Sequence, residues 1–407
     1  MKKNKILFFP LHQTSWDGMF PIIKDLGKKN KFIVEILVCN RYIYNKSREH
    51  PKIANYITLY DDNSLKKLKH RTIKFIKTFW NYFYNKINTI DYFPALIDNI
   101  NLCVKQLNST LSYEQYLSAV IYTDRTIDNG YTPALLKVLS ENYIPIIMPP
   151  IAESSIFLRK RRKDVNYDAD DYPGLMKAYP KSFIFDIQTG KNIFFYRIKE
   201  MNSLIKLGLI PDNPWINGGG RCTKVLLGSE MGKNHYKKKG VDVQKLIVTG
   251  QRSHDNIFNT FSNKENIKLN IFRMYGLKTD TKIMILSVPP LFDEGMSEQR
   301  TKKEYSFLFT SLRKLNAMTL LSLHPRISKP FVSSLIGESK NVIIIEERLH
   351  NIIPISDIFL CCGSSTIVWS LISKVPVINF DFYNYKFVER DYDEYTNRIQ
   401  NKSELIP

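Results

Sequence analysis

Gly363-Ser364-Ser365-Thr366 stands between an apolar run, DIFLCC, and a stretch, IVWSLIS, whose apolar residues recur at helical spacing. Glycine permits a sharp turn and the close approach of a ligand, while serine and threonine cap a helix and present hydroxyls beside its unpaired N–H groups. A strand-to-helix turn of this composition fits a phosphate group, with a simple helix cap as the equal alternative. A second segment, LLSLHPRISKP, places His324-Pro325-Arg326 at the carboxyl end of a strand over Met318–Leu323. Ligands of open α/β sheets gather at that edge, so both segments point toward one crevice. His324 can then donate a hydrogen bond or a proton to a phosphate oxygen, and Arg326 can add positive charge.

Near the amino terminus, LHQTSWDG follows the first apolar run and brings His12, Ser15 and Asp17 to a loop. IYTDRTIDNG brings Asp124 and Arg125 to the end of another strand. A carboxylate at either place could take the proton of a hydroxyl, and Arg125 could orient an anionic group. Asp17 and Asp124 each read equally well as helix caps. Walker, GxGxxG, HExxH and GxSxG patterns are absent, and GGGR at 218–221 reads as a linker turn because it precedes a strand.

The elements that must position these residues follow from alternation of short apolar runs with helical patterns, the mark of βα units around a parallel sheet. Strands are expected at 6–9, 32–38, 119–123 and 144–148, then at 224–228, 245–248, 282–287, 318–323, 342–345, 358–360 and 377–380. The fold class is therefore α/β, with two doubly wound Rossmann-like domains facing a central cleft. The first is expected over 1–222 with an insertion at about 154–220, the second over 223–407. Ser287, at the end of a strand, and Gly250, in a VTG turn, join the phosphate-side candidates. The segment TIKFIKTFWNYFYNKI carries lysines around an apolar face and reads as a core-facing helix, with docking at a membrane surface as the alternative. The last residues, NKSELIP, stop where such a domain would add closing helices, so a shortened or divergent end is expected.

A chain of 407 residues with 43% apolar composition can bury two cores. Its formal charge of +20 suits polyanionic or membrane-surface partners such as sugar nucleotides, anionic lipid headgroups or nucleic acid. The lysines are scattered along helical stretches and read first as solvated helix faces, so charge alone selects no partner and nucleic acid is not expected. Five cysteines without CxxC spacing indicate neither a zinc site nor a disulfide framework and suit a reducing cytoplasm. KILFFPL is short, contains proline and leads into polar residues, so it reads as a buried strand rather than a signal peptide. No apolar run reaches the roughly 18 residues of a membrane span, which limits membrane association to the periphery of the inner face.

From about Thr223 to Tyr385 the sequence resembles the GT-B superfamily of glycosyltransferases and the related UDP-N-acetylglucosamine 2-epimerases. The resemblance rests on VLLGSEMGKNHYKKKGVDVQKLIVTGQRSHDNIF, on LSVPPLFDEG, and on the HPR and GSST elements in family order. Bacterial sialyltransferases and capsule transferases that use CMP-activated acidic sugars carry a His-Pro element, a Ser-Ser or Ser-Thr element and an acidic-acidic-Gly element bearing the catalytic base. His324-Pro325, Ser364-Ser365-Thr366 and Asp293-Glu294-Gly295 match those types. In several such enzymes the acidic element lies in the first domain, whereas here it follows the first strand of the second. The resemblance implies a glycosyltransferase of surface polysaccharide assembly, capsule or lipopolysaccharide, with a CMP-nonulosonate or UDP-sugar donor and a glycan or lipid-linked acceptor. It implies His324, Pro325, Arg326 and Gly363–Thr366 around the donor, Asp124, Asp17 or Asp293 as base, and neither metal nor cofactor. The alternatives are a UDP-sugar 2-epimerase, against which LSVPPLFDEG lacks the His-Arg-Arg-Glu run of those enzymes, and a non-catalytic GT-B module that binds glycan.

Overall fold

The computed structural model describes residues 4–29, 31–60, 92–127, 130–150, 168–186, 190–292, 296–324, 326–383 and 395–405. Asp293, Glu294, Gly295, Pro325 and the whole TIKFIKTFWNYFYNKI segment lie outside the described residues. The chain divides into two compact units, Met1–Gly250 and Gln251–Pro407.

In the first unit, strands β1 (Lys5–Phe9), β2 (Ile33–Val38), β3 (Asn55–Thr58), β4 (Tyr116–Ile121) and β5 (Ile146–Met148) lie in one sheet. β6 (Phe183–Asp186) and β7 (Lys191–Phe194) form a separate antiparallel pair, and β8 (Lys224–Leu227) and β9 (Leu246–Val248) return to the main sheet. Its order is β3-β2-β1-β4-β5-β8-β9, parallel throughout. The alternating side-chain directions of a strand explain the two cores. Leu7 and Phe9 enter one hydrophobic cluster and Ile6 and Phe8 the other, so β1 is covered on both faces. Near-continuous apolar runs are what a doubly covered parallel strand requires.

The second unit contains β10 (Ile283–Val288), β11 (Met318–Leu323), β12 (Val342–Ile345), β13 (Ile358–Cys361), β14 (Val377–Phe380) and β15 (Asn397–Ile399). Their order is β12-β11-β10-β13-β14-β15, again parallel throughout. The same period-two split recurs, with Met284, Leu286 and Val288 in one cluster and Ile283 and Ile285 in the other.

One boundary differs from the sequence reading. β8 and β9 were expected to open the second domain at 223, yet β8 pairs with β5, at Ile147↔Lys224 and Met148↔Val225, and both strands complete the first sheet. The chain passes to the second unit after Gly250. A strand's apolar pattern states that it is buried in a sheet but not in which one, and that is why the boundary was misplaced.

Candidate functional site

Both sheets reverse their winding once, between β1 and β4 in the first unit and between β10 and β13 in the second. Such reversals open a crevice at the carboxyl ends of the strands. The Gly363–Thr366 turn leaves β13 at the second of these points. Gly363 has φ +60, the left-handed region that glycine enters without strain. Its N–H donates to Oδ1 of the buried Asn379 at 2.8 Å, and Asn379 faces Cys361 across the β13–β14 pair. Ser364 Oγ lies 2.7 Å from Thr366 Oγ1 and accepts the Thr366 N–H at 3.2 Å. The helix that follows, Ile367–Ile372, receives no side-chain cap from Thr366. The hydroxyls therefore shape the turn itself, and Ser365 stands exposed at its tip. With only six residues, this helix contributes a short dipole, so an anion here would depend on hydroxyls and turn amides.

His324 directly follows β11, one strand beyond β10 on the same edge. Parallel pairing of β10 with both β11 and β13 puts His324 and the Gly363–Thr366 turn at the same end of the sheet, two strand spacings or roughly 10 Å apart. His324 is half-buried, and its Nδ1 accepts the Arg326 N–H at 3.3 Å. A neutral imidazole that accepts through Nδ1 carries its proton on Nε2, the tautomer able to donate to an oxygen ligand. Arg326 is exposed beside it. Ser287 lies within β10, paired with Ser322, rather than at the strand tip. Pro289 and Pro290 follow β10 and offer no backbone N–H.

In the first unit the carboxyl ends of β1 and β4 bring His12 and Tyr122 together, their rings edge to face with centroids 4.7 Å apart. His12 caps the helix Gln13–Lys28, where its Nδ1 accepts the Ser15 N–H at 3.4 Å. Ser15 Oγ accepts the N–H groups of Leu11 and His12 at 2.7 and 2.8 Å and donates to the His12 carbonyl at 2.7 Å. Burial pushes the His12 pKa down and that of Tyr122 up to about 12. Asp17 is half-buried on the second turn of this helix and does not cap it.

Asp124 follows β4, as its sequence context suggested, but it is enclosed there. It is only 3% exposed, and its Oδ1 and Oδ2 accept the N–H groups of Gly218 and Gly220 at 2.8 and 2.7 Å. Burial raises its pKa, while the two amides and Arg125 act in the opposite direction. A carboxylate so enclosed, with both oxygens engaged, holds a loop and is not placed to meet an acceptor hydroxyl. Arg125 is likewise engaged, donating to the carbonyls of Pro214 and Trp215 at 3.2 and 2.9 Å with its guanidinium 5.5 Å from the Phe195 ring centroid. The GGGR segment is thus the partner of β4's end rather than a free linker. A Cβ at Gly219 would come within 2.4 Å of the Asn213 carbonyl, and one at Gly220 within 2.8 Å of Asp124 Oδ2. Sequence reading missed this clamp, although three consecutive glycines beside a tryptophan signal close backbone approach. Gly250, in the left-handed region at φ +79, follows β9 as the last residue of the first unit.

No protein-family model and no curated protein sequence matches the chain. Among solved structures, a glycosyltransferase from Rickettsia africae ESF-5 is similar over 100% of this chain and 86% of its own, at 12% identity and a TM-score of 0.51. UDP-GlcNAc 2-epimerase from Methanocaldococcus jannaschii is similar over 98% of this chain and 90% of its own, at 13% identity and a TM-score of 0.50. S. aureus MnaA, solved with UDP, is similar over 100% and 86%, at 14% identity and a TM-score of 0.50. Two parallel-sheet, Rossmann-like units in one chain are the architecture these proteins share, so the fold is of the GT-B type.

Proposed function

We propose that this chain is a glycosyltransferase that transfers a sugar from a nucleotide-activated donor, CMP-nonulosonate or UDP-sugar, to a glycan or lipid-linked acceptor in surface polysaccharide assembly. The observation that carries this reading is the Gly363–Thr366 turn at the β10/β13 reversal, with His324 on the same sheet edge. The second unit holds the donor. Ser364, Ser365, Thr366 and the turn amides face the phosphate, His324 donates through Nε2–H, and Arg326 adds charge. The first unit serves the acceptor.

The reaction is a displacement at the anomeric carbon. The acceptor oxygen forms the new bond, the bond from the anomeric carbon to the phosphate oxygen breaks, and a carboxylate takes the acceptor proton. With Asp124 spent on the glycine loop, Asp17 is the described carboxylate that remains for this role among the three sequence candidates. The UDP complex of a protein with the same fold supports a nucleoside diphosphate as the leaving half of the donor, and the Rickettsia enzyme supports transfer as the chemistry.

Calorimetry with CMP, CDP, UDP and GDP tests the reading. One pyrimidine nucleotide should bind, and replacing Ser364 and Ser365 together by alanine should weaken it roughly tenfold or more, since a hydrogen bond to a charged oxygen contributes about 1.5–3 kcal/mol. Absence of binding by all four nucleotides, or unchanged affinity in the folded double variant, refutes the donor site.

A further inference from the structure

Tyr143 is 94% exposed and stands at φ +56, in the left-handed region, where the helix Tyr131–Glu141 ends. Its N–H donates to the Ser140 carbonyl at 3.2 Å, and the Ile144 N–H donates to that of Leu139 at 2.9 Å. Glycine is the usual residue at such a helix end, and a tyrosine enters it only against a clash at Cβ. A strained backbone that carries a water-facing ring points to a partner outside the chain. Tyr143 lies just before β5, and the sheet order β4-β5-β8-β9 aligns other exposed apolar residues with it. Leu117, near the start of β4, is 48% exposed, and Val243, three residues before β9, is 44% exposed. With strands about 4.8 Å apart, these tips share the amino edge of the first sheet over roughly 15 Å. Lys237, Lys238 and Lys239 stand exposed where the helix Glu230–Lys238 ends and the chain turns toward Val243. Lys224 opens β8 on the same edge, its Nζ donating to the Gln244 carbonyl at 2.8 Å. Glu114, Asp242 and Glu141 oppose these lysines, but Glu141 is already paired with Lys137, so the edge is net positive.

We propose that this amino edge docks on an anionic lipid bilayer, with Leu117, Tyr143 and Val243 entering the headgroup layer and Lys237–Lys239 meeting lipid phosphates. The proposal goes beyond the donor reading and does not rest on it. Tyrosine suits the bilayer interface because its ring enters the apolar boundary while its hydroxyl stays in water. The lysines supply charge complementary to the lipid: each raises partition onto an anionic surface about fivefold, and three together about a hundredfold. A second copy of the chain fits less well, since contact through the same edge brings lysines toward lysines. The six residues of β4 span about 20 Å, so the carboxyl edge that carries His12 and Tyr122 faces away from the lipid.

Cosedimentation of the full chain with vesicles tests the surface, using phosphatidylcholine alone and phosphatidylcholine mixed with phosphatidylglycerol, each at low and high salt. The mixed vesicles should retain the protein at low salt, and high salt should release it. Replacing Lys237, Lys238 and Lys239 together by glutamine should weaken that binding about a hundredfold. Tyr143→Gly should weaken it about fivefold and leave the urea midpoint unchanged or raised, because glycine relieves the left-handed turn. A tyrosine kept for the fold alone forecasts the reverse, a lower midpoint with vesicle binding unchanged. Neutral vesicles that bind as well as the mixed ones, or either variant bound as tightly as the parent, overturn the docking surface. Capture by soluble polyglutamate as tight as by the mixed vesicles also overturns it, because the partner is then an acidic macromolecule rather than a bilayer. Nucleotide calorimetry reads the donor site separately, so failure of the docking surface leaves the donor reading standing.

Discussion

Replacing Asp124 separates a structural carboxylate from a catalytic one. In the folded chain each carboxylate oxygen accepts one backbone N–H, at 2.8 Å from Gly218 and 2.7 Å from Gly220. A hydrogen bond to a charged group contributes about 1.5–3 kcal/mol, so two such bonds set a ceiling of about 3–6 kcal/mol on the loss in Asp124→Ala. Removal of a buried carboxylate also relieves the burial that raises its pKa, and this pulls the net loss toward about 3 kcal/mol. Asp124→Asn keeps one acceptor oxygen but sets an amide N–H against a backbone N–H, so its loss should fall between parent and Ala. Urea unfolding at neutral pH, in a background with Trp16, Trp80 and Trp369 replaced by phenylalanine and followed by tryptophan fluorescence, reads Trp215 in the clamped loop. A folded Asp124→Ala protein within about 0.5 kcal/mol of the parent would refute the anchor, because losses that small belong to surface positions.

Three further outcomes follow from other contacts. Asn379→Leu removes the acceptor of the Gly363 N–H, so nucleotide affinity should fall about tenfold or more by calorimetry while far-ultraviolet dichroism stays at the parent value; unchanged affinity would free the turn from its dependence on β14. His12 has its pKa lowered by burial, so the unfolded state binds more protons between the folded value and 6.5, and His12's contribution to stability is present above 6.5 and lost as pH falls through the folded value. His12→Asn, a good cap without that titration, should flatten the acid side of the urea-midpoint profile, and an unaltered profile would contradict the assignment. Lys5→Met removes the ammonium 2.7 Å from buried Glu35 and should cost about 1–3 kcal/mol in urea unfolding, with no change if Tyr116 alone satisfies the carboxylate.

The sheets were legible because parallel strands covered on both faces leave unbroken apolar runs. Val342–Ile345 is wholly apolar and Met318–Leu323 and Val377–Phe380 are mostly so, and their bounds read from sequence coincide with the structure. β3 and β15 were not legible. NYIT at β3 has no fully buried residue, and NRI at β15 is three residues long and half exposed, so neither leaves a hydrophobic signature. The β6–β7 pair was hidden inside what read as an irregular insertion, since its alternation is short and its partner lies within the same insertion.

For the candidate site, the described residues that read as a strand-edge cluster in the second unit lie on one edge, because His324 and the Gly-Ser-Ser-Thr turn each sit where a strand stops and sheet order follows from the chain's own crossovers. Asp124 shows the limit of that logic. Its place at the end of β4 was legible, but its partners lie 94 and 96 residues away along the chain, in a loop that sequence presents as a linker. Carboxylates at strand ends acquire their roles from what packs over them, and a long-range contact leaves no periodic trace. Asp17, one turn into a helix and only half-buried, keeps the exposure that a proton acceptor needs; Asp124 has exchanged it for two backbone hydrogen bonds.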